Sequence, residues 1–153
     1  LSDYVIGIDP GGTGSICILD LDGKYIDHLL MPVMKVGKAN RVNSAALVAW
    51  MDRYRTAKHC YLEKVHAMPK QGVSSMFSFG HSAGIVEGVI VAFGIPLTLV
   101  TPQSWKKKSG LIGKDKDAAR TRAIQLYPDL RALDLKGKGQ ALADSILIAR
   151  SNL

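Results

Sequence analysis

Cysteine is scarce in this chain: of 153 residues only Cys17 and Cys60 carry a thiol, and neither stands at a metal-ligand spacing. No zinc framework or disulfide scaffold is implied. Both lie in apolar, strand-like runs and read as reduced core residues of a cytoplasmic protein. Long apolar runs are missing too. The longest, Val89 to Phe93 extended through Gly94 to Ile95, is too short to span a bilayer, so no membrane partner is expected. No basic-then-apolar leader opens the chain, which sets secretion aside as an expectation. Repeats and low-complexity tracts are absent. Acidic residues are in the minority, 13 against 20 Lys and Arg, and the formal charge of +7 favours a polyanionic partner. With 47% hydrophobic residues, the length fits one domain over 1–153 that builds its core without staples.

What the chain does have is an acid at the end of a buried run followed at once by a glycine-rich turn, Tyr4-Val5-Ile6-Gly7-Ile8-Asp9-Pro10-Gly11-Gly12-Thr13-Gly14-Ser15. Pro10 forces Asp9 away from helical dihedrals, and Gly11, Gly12 and Gly14 allow positive φ and close approach by another chain. Two chemistries use such a motif. It serves metal-dependent nucleases of the RNase H type and equally the phosphate hairpin of actin-like kinases and ATPases.

Periodicity supplies the context. Residues 4–9, 15–19 and 24–31 read as an antiparallel meander, turned at Asp20-Leu21-Asp22-Gly23. Residues 32–43 read as a polar, basic connector. Asn43 or Ser44 can cap a helix with the stripe Leu47, Trp50, Met51 and Tyr54. A strand containing Glu63 is expected over Cys60–Val65, a polar loop over Pro69–Ser75, a small-residue helix over Gly80–Phe93 and a strand over Pro96–Val100. Helices over 115–127 and 139–151 close the chain. This order predicts an α/β fold of the RNase H-like kind, a mixed five-stranded sheet flanked by helices, with Asp9 and Glu63 side by side.

Hydrolysis of a phosphodiester by two metals needs carboxylates converging on cations about 4 Å apart. Magnesium suits that site, because it takes a few hard oxygens and completes its shell with water and phosphate. Asp9, Glu63 and Asp144 are the candidates. Asp144 interrupts the apolar helix Ala141 to Ala149, where an unpaired acid would be costly to bury. An exposed helix position for Asp144 and a solvent-facing strand position for Glu63 are the plain alternatives.

The chain resembles the RuvC Holliday junction resolvases, particularly the short bacteriophage type. The resemblance rests on Gly7-Ile8-Asp9-Pro10-Gly11, Leu62-Glu63-Lys64-Val65, the stretch Pro69 to Phe77, Val100-Thr101-Pro102 with Trp105-Lys106, Lys114-Asp115-Lys116, Tyr127-Pro128 and Ala143-Asp144-Ser145. It implies a homodimeric, magnesium-dependent endonuclease, with manganese as a substitute, that nicks opposed strands of branched DNA in the cytoplasm of a bacterial host. Four-way junctions are the implied partner, with forks as another. Asp9, Glu63 and Asp144 would be both catalytic residues and metal ligands. One departure stands out. The family carries a fourth carboxylate three or four residues before the position of Asp144, where this chain has Ala141 and Gln140. Gln140 lies one turn back on the same face, so its amide oxygen is the candidate for a neutral fourth ligand.

DNA contacts are expected from Lys106, Lys107, Lys108, Lys114, Lys116, Arg120 and Arg122, seven cations within 17 residues; a solvated helix face is the plain alternative. Lys116 and Arg120 are expected on one helix face. The resemblance puts a junction-probing loop after Glu63. Lys70 and Gln71 are read there as backbone contacts and Phe77 as an apolar wedge, with core packing expected for at least one phenylalanine of this segment. His66 and His81 stay open between orienting and surface roles, and Glu87 reads as a surface acid. The helix from Gly80 packs on the sheet or presents a two-fold dimer stripe. Two further functions remain beside the nuclease: a branched-DNA-binding protein with little cleavage, and an actin-like ATPase or sugar kinase, which would need a second such domain.

Overall fold

A computed structural model describes residues 3–153. Strands β1 (Tyr4–Asp9), β2 (Ser15–Asp20) and β3 (Tyr25–Leu30) form the expected antiparallel meander. A separate two-stranded hairpin follows, β4 (Val33–Val36) and β5 (Ala39–Val42). Helix α1 (Ser44–Met51) then leads to β6 (His59–Glu63), α2 (Val73–Ala92) and β7 (Leu97–Val100). Three helices close the chain, α3 (Pro102–Lys108), α4 (Ala118–Leu126) and α5 (Lys136–Arg150). The main sheet has the order β3-β2-β1-β6-β7, with β6 and β7 parallel to β1. This is the RNase H-like mixed sheet the sequence predicts, with β1 at its centre.

Central placement explains why β1 is an almost unbroken apolar run: both of its faces are covered. Tyr4, Ile6 and Ile8 point into a core shared with Leu47 and Met51 of α1 and Val86 and Ile90 of α2. Val5 points the other way, into a core with Leu142, Ile146 and Ala149 of α5. Asn43 caps α1 as expected, its side chain accepting from the Ala46 amide at 3.1 Å.

Three elements depart from the sequence expectation. The connector 32–43 is the β4–β5 hairpin, turned at Gly37 with φ 63°. Helix α2 starts seven residues before Gly80, taking in the last three residues of the expected loop. At 20 residues, with a mean hydropathy of 1.2 in its most apolar window, it is long and apolar enough to cross a membrane by length and composition; the longest run in the sequence did not indicate this. Ala83, Val86 and Ile90 nevertheless belong to the buried side of the fold. Helix α3 was not anticipated, although Thr101 caps it by accepting from the Ser104 amide and Pro102 occupies its first turn.

Helix α5 lies on the sheet at Gly7. A Cβ there would penetrate the Ser145 carbonyl oxygen and sit 2.7 Å from Ala149 Cβ, so only glycine admits the helix at this depth. A buried hydroxyl pair reinforces the contact: Ser15 Oγ lies 2.6 Å from both Ser145 Oγ and the Ala141 carbonyl, and Ser145 donates to the Leu142 carbonyl at 3.0 Å. Gly7→Ala is expected to lower unfolding stability by about 3 kcal/mol, at the upper end of overpacking costs. Urea unfolding checks it; an unchanged midpoint would mean that α5 can retreat from β1 at no cost.

Candidate active site

Register and alternation place the first two acids. Ile8 pairs with Leu62 in the parallel β1–β6 ladder, so Asp9 and Glu63 follow at the same edge of the sheet. Ile8 and Leu62 both enter the α1/α2 core, which turns the next residue of each strand towards α5. Asp144 is on α5, one residue before the Ser145 carbonyl that abuts Gly7. Asp9, Glu63 and Asp144 thus meet across the sheet and helix, as the sequence predicts. The turn after Asp9 is equally constrained: Gly11 has φ 110°, and a Cβ on Gly14 would overlap the Asp9 carbonyl oxygen.

Burial and the facing charges set the protonation of the three acids. Burial, then the Glu63 and Asp144 carboxylates, push Asp9 up to about 8, while Lys106 pulls it down. Burial and Glu63 raise Asp144 to about 6, against the Gln140 hydrogen bond and Lys106. Glu63 is raised by burial and lowered by Trp105 and Lys106. Glu63 thus raises the proton affinity of both aspartates and Asp144 that of Asp9, and such a cluster gains by facing a cation. Among the described residues no group of three or more acidic, histidine or cysteine side chains is placed to hold a metal ion. The backbones of Asp9, Glu63 and Asp144 are nonetheless held on adjacent strands and a helix packed against them.

Two further side chains complete the site. The Trp105 indole, only 1% exposed, donates from Nε1 to Glu63 Oε2 at 2.6 Å. This bond joins residues 42 apart in sequence and was not anticipated; the only signal was an aromatic residue inside a basic helix. Gln140 donates from Nε2 to Asp144 Oδ1 at 3.1 Å, and its Oε1 is buried without a hydrogen-bond partner. An orphaned amide oxygen beside three carboxylates is an all-oxygen donor set that fits a hard divalent cation such as magnesium.

The expected DNA-facing residues fall into distinct places. Lys106, Lys107 and Lys108 are exposed on α3. Lys106 lies over the Trp105 ring, 5.6 Å from Nζ to the centroid, and Lys108 donates to Asn152 Oδ1 at 3.2 Å. Lys114 and Lys116 line a cleft of about 280 Å³ whose wall includes Gln140 and Asp144. They precede α4, which begins only at Ala118, so Lys116 and Arg120 do not share a helix face. Arg120 instead donates to the Leu133 and Asp134 carbonyls at 3.1 and 3.3 Å. Its guanidinium is occupied by the fold, whereas Arg122 is exposed.

Lys70 and Gln71 are exposed on the loop after β6, with Lys70 at φ 66°, a left-handed conformation costing roughly 1–2 kcal/mol for a residue with a Cβ. Phe77 is 66% exposed. Phe79, by contrast, packs towards the backbone of Gly11 and is the structural phenylalanine of the segment. His66, His81 and Glu87 are exposed. A larger cleft, about 510 Å³, lies at the opposite end of the sheet between Gly23, Tyr127 and Arg150. Its acids, Asp22 and Asp129, are exposed turn residues and do not converge, so size alone is a poor guide to the chemistry here.

No family model matches the sequence, and no curated protein does. Among solved structures, the fold is similar to Thermus thermophilus RuvC in complex with a Holliday junction substrate, with a TM-score of 0.65 and 16% identity over 97% of this chain and 91% of that one. A second Thermus thermophilus RuvC structure matches with a TM-score of 0.61 and 16% identity, over 97% and 92% of the two chains. At this identity the likeness establishes the shared fold.

The raised acids make stability depend on pH in a defined direction. In metal-free protein Asp9 and Asp144 keep protons that the unfolded chain releases from about pH 4 upward, so stability falls as pH rises from there towards 8. Asp9→Asn removes the largest of these penalties. It is expected to stabilise the chelated protein by at least about 1 kcal/mol at pH 8 and by almost nothing at pH 4. Urea unfolding in EDTA measures both; equal effects at the two pH values would contradict the buried-acid assignment.

Proposed function

We propose that this chain is a structure-selective endonuclease that resolves four-way DNA junctions by paired nicks, working in the bacterial cytoplasm. One observation carries the reading: Asp9, Glu63 and Asp144 converge at one edge of a sheet whose fold is similar to that of a protein solved with a Holliday junction, beside a strongly basic surface. Asp9, Glu63 and Asp144, with Gln140 Oε1 as a neutral fourth donor, would hold magnesium or its substitute manganese. When bound, the metal supplies an activated water and charge stabilisation for phosphodiester hydrolysis.

The chain's own residues do the rest. Trp105 holds one Glu63 oxygen and so orients the other. Lys106 lowers the proton affinity of all three acids and carries a positive charge to the edge of the site. Lys107, Lys108, Lys114 and Lys116 offer phosphate contacts near the carboxylates, and Lys70 and Gln71 offer them from the loop after Glu63. These charges position the duplex arms without reading sequence. Phe77 is the exposed apolar side chain available to an opened base step.

Paired nicks require two sites, and α2 presents the surface for a homodimer. Gly80, Gly84 and Gly88 recur on its exposed side with open space where their Cβ atoms would be, and Val91 is exposed beyond them. A two-fold partner could approach closely along that stripe.

Gln140 favours a second reading, a branched-DNA-binding protein with weak cleavage, because a neutral amide replaces a charge at the metal site. Cleavage of matched four-way, forked and linear DNAs in magnesium tests the first reading. The parent is expected to nick the four-way junction in opposed strands, and Asp9→Asn to lose at least about a thousandfold in rate, the scale set by removing key transition-state charge. Equal nicking by parent and variant would reject the active site. Gln140→Asp is expected to raise the junction cleavage rate several-fold, most strongly at low magnesium. An unchanged or lower rate across a magnesium titration would remove Gln140 from the ligand set.

A further inference from the structure

We infer that a duplex arm of the DNA leaves the carboxylate site along a groove between α3 and α4, and that Arg122, Arg150 and Lys24 hold its phosphates there as far as the opposite end of the sheet. This rests on the branched-DNA reading above and assigns residues that reading does not use. Four clefts adjoin one another in a row. The cleft of about 280 Å³ beside Gln140 and Asp144 shares Leu111, Lys114 and Asp115 with one of about 650 Å³. That second cleft shares Ser109 and Arg122 with one of about 120 Å³, which in turn shares Leu126 and Arg150 with the cleft of about 510 Å³ at the β2–β3 turn. The row therefore runs from the carboxylates to the far end of the sheet.

A ligand that fills such a row is long, and at one end it is the molecule that passes the carboxylates. The cations suit the phosphates of one strand. Arg122 and Lys24 are exposed, and neither forms an ion pair among the described residues. Arg150 is set more firmly: its Cζ lies 5.6 Å from the Tyr127 ring centroid, and it donates at 3.1 Å to the Tyr127 hydroxyl, which donates to the Gly23 carbonyl. A guanidinium fixed in this way meets a phosphate at little ordering cost. One face of the Tyr127 ring is thereby taken up by the fold, so the far cleft offers charge more than stacking. Ser109, Thr121 and Gln125 add neutral hydrogen-bonding side chains between the cations. Asp22, Asp115 and Asp129 also line the row, but its lysines and arginines outnumber them. Contacts of this kind fix direction without reading sequence. The six residues of β1 span about 20 Å at roughly 3.3 Å each, which is about six base pairs at a rise of roughly 3.4 Å. Holding the arm this far out sets its angle as well as its position.

Fluorescence anisotropy in EDTA tests this, on four-way junctions whose arms carry either natural phosphates or neutral methylphosphonates about three to seven linkages from the branch point. The neutral linkages are expected to weaken binding by the parent about tenfold at roughly 0.1 M salt. Lys24→Gln/Arg122→Gln should weaken binding to the natural junction by a similar factor and lower the slope of log affinity against log salt by about 2. Together the two changes should cost little more than either alone, because they remove the same contacts. A parent indifferent to the neutral linkages overturns the groove, and so do effects that multiply. The comparison on the parent needs no variant, so a folding defect cannot stand in for a lost contact. A double variant whose oligomeric state changes without DNA, by light scattering, overturns it too, by assigning the groove to a second copy. Nicking in magnesium is read separately. A parent that nicks but ignores the neutral linkages keeps the nuclease and rejects the groove; a parent that fails to nick, with effects that do not multiply, does the reverse.

Discussion

Everything at the carboxylate site depends on how closely α5 approaches β1, and one missing side chain sets that approach. At Gly7 the helix backbone occupies the volume a Cβ would need. The contact lies two residues from Asp9 on the strand and one from Asp144 on the helix, so it fixes their separation more tightly than a layer of larger side chains could. Ser15 and Ser145 then hold the helix in register through buried hydroxyls. Packing of this density resists gradual adjustment. The fold therefore delivers two acids to one place by sterics, and the β1–β6 ladder delivers the third by hydrogen bonding.

Bringing acids together is unfavourable unless something offsets their repulsion. Here the offset is divided among unlike groups: a buried indole N–H on Glu63, an amide N–H on Asp144 and the Lys106 charge acting on all three. Burial still dominates, leaving Asp9 and Asp144 raised. Carboxyls held with raised proton affinity at the end of a sheet favour function over stability.

What could be read in the sequence was whatever is decided locally. Pro10 restricts Asp9, the turn residues 20–23 fix the meander, and Asn43 caps α1 with its own side chain. Those features need no distant partner. The β4–β5 hairpin was missed because residues 32–43 are basic and interrupted by Gly37, and their pairing owes its stability to the Val42 anchor on a core formed elsewhere. Arg120 was placed on a DNA-facing stripe because helical spacing was extended back to Lys116. In the fold α4 starts later, and the segment around Leu133 and Asp134, which lies 13 or 14 residues away, takes up its guanidinium. Likewise the Trp105 bond to Glu63 spans the α2 crossover and strand β7, and no pattern of neighbours announces it.

Helix α3 has only seven residues, yet it faces two ways. Its buried side holds Glu63 through Trp105, and its exposed side carries Lys106, Lys107 and Lys108. In a segment this short, capped at Thr101, the two faces are tied together by one turn of backbone. Any ligand that settles its lysines also settles the indole, and whatever orders Glu63 pre-sets the lysines in return. Electrolyte and divalent ion should therefore not act as independent variables on this protein.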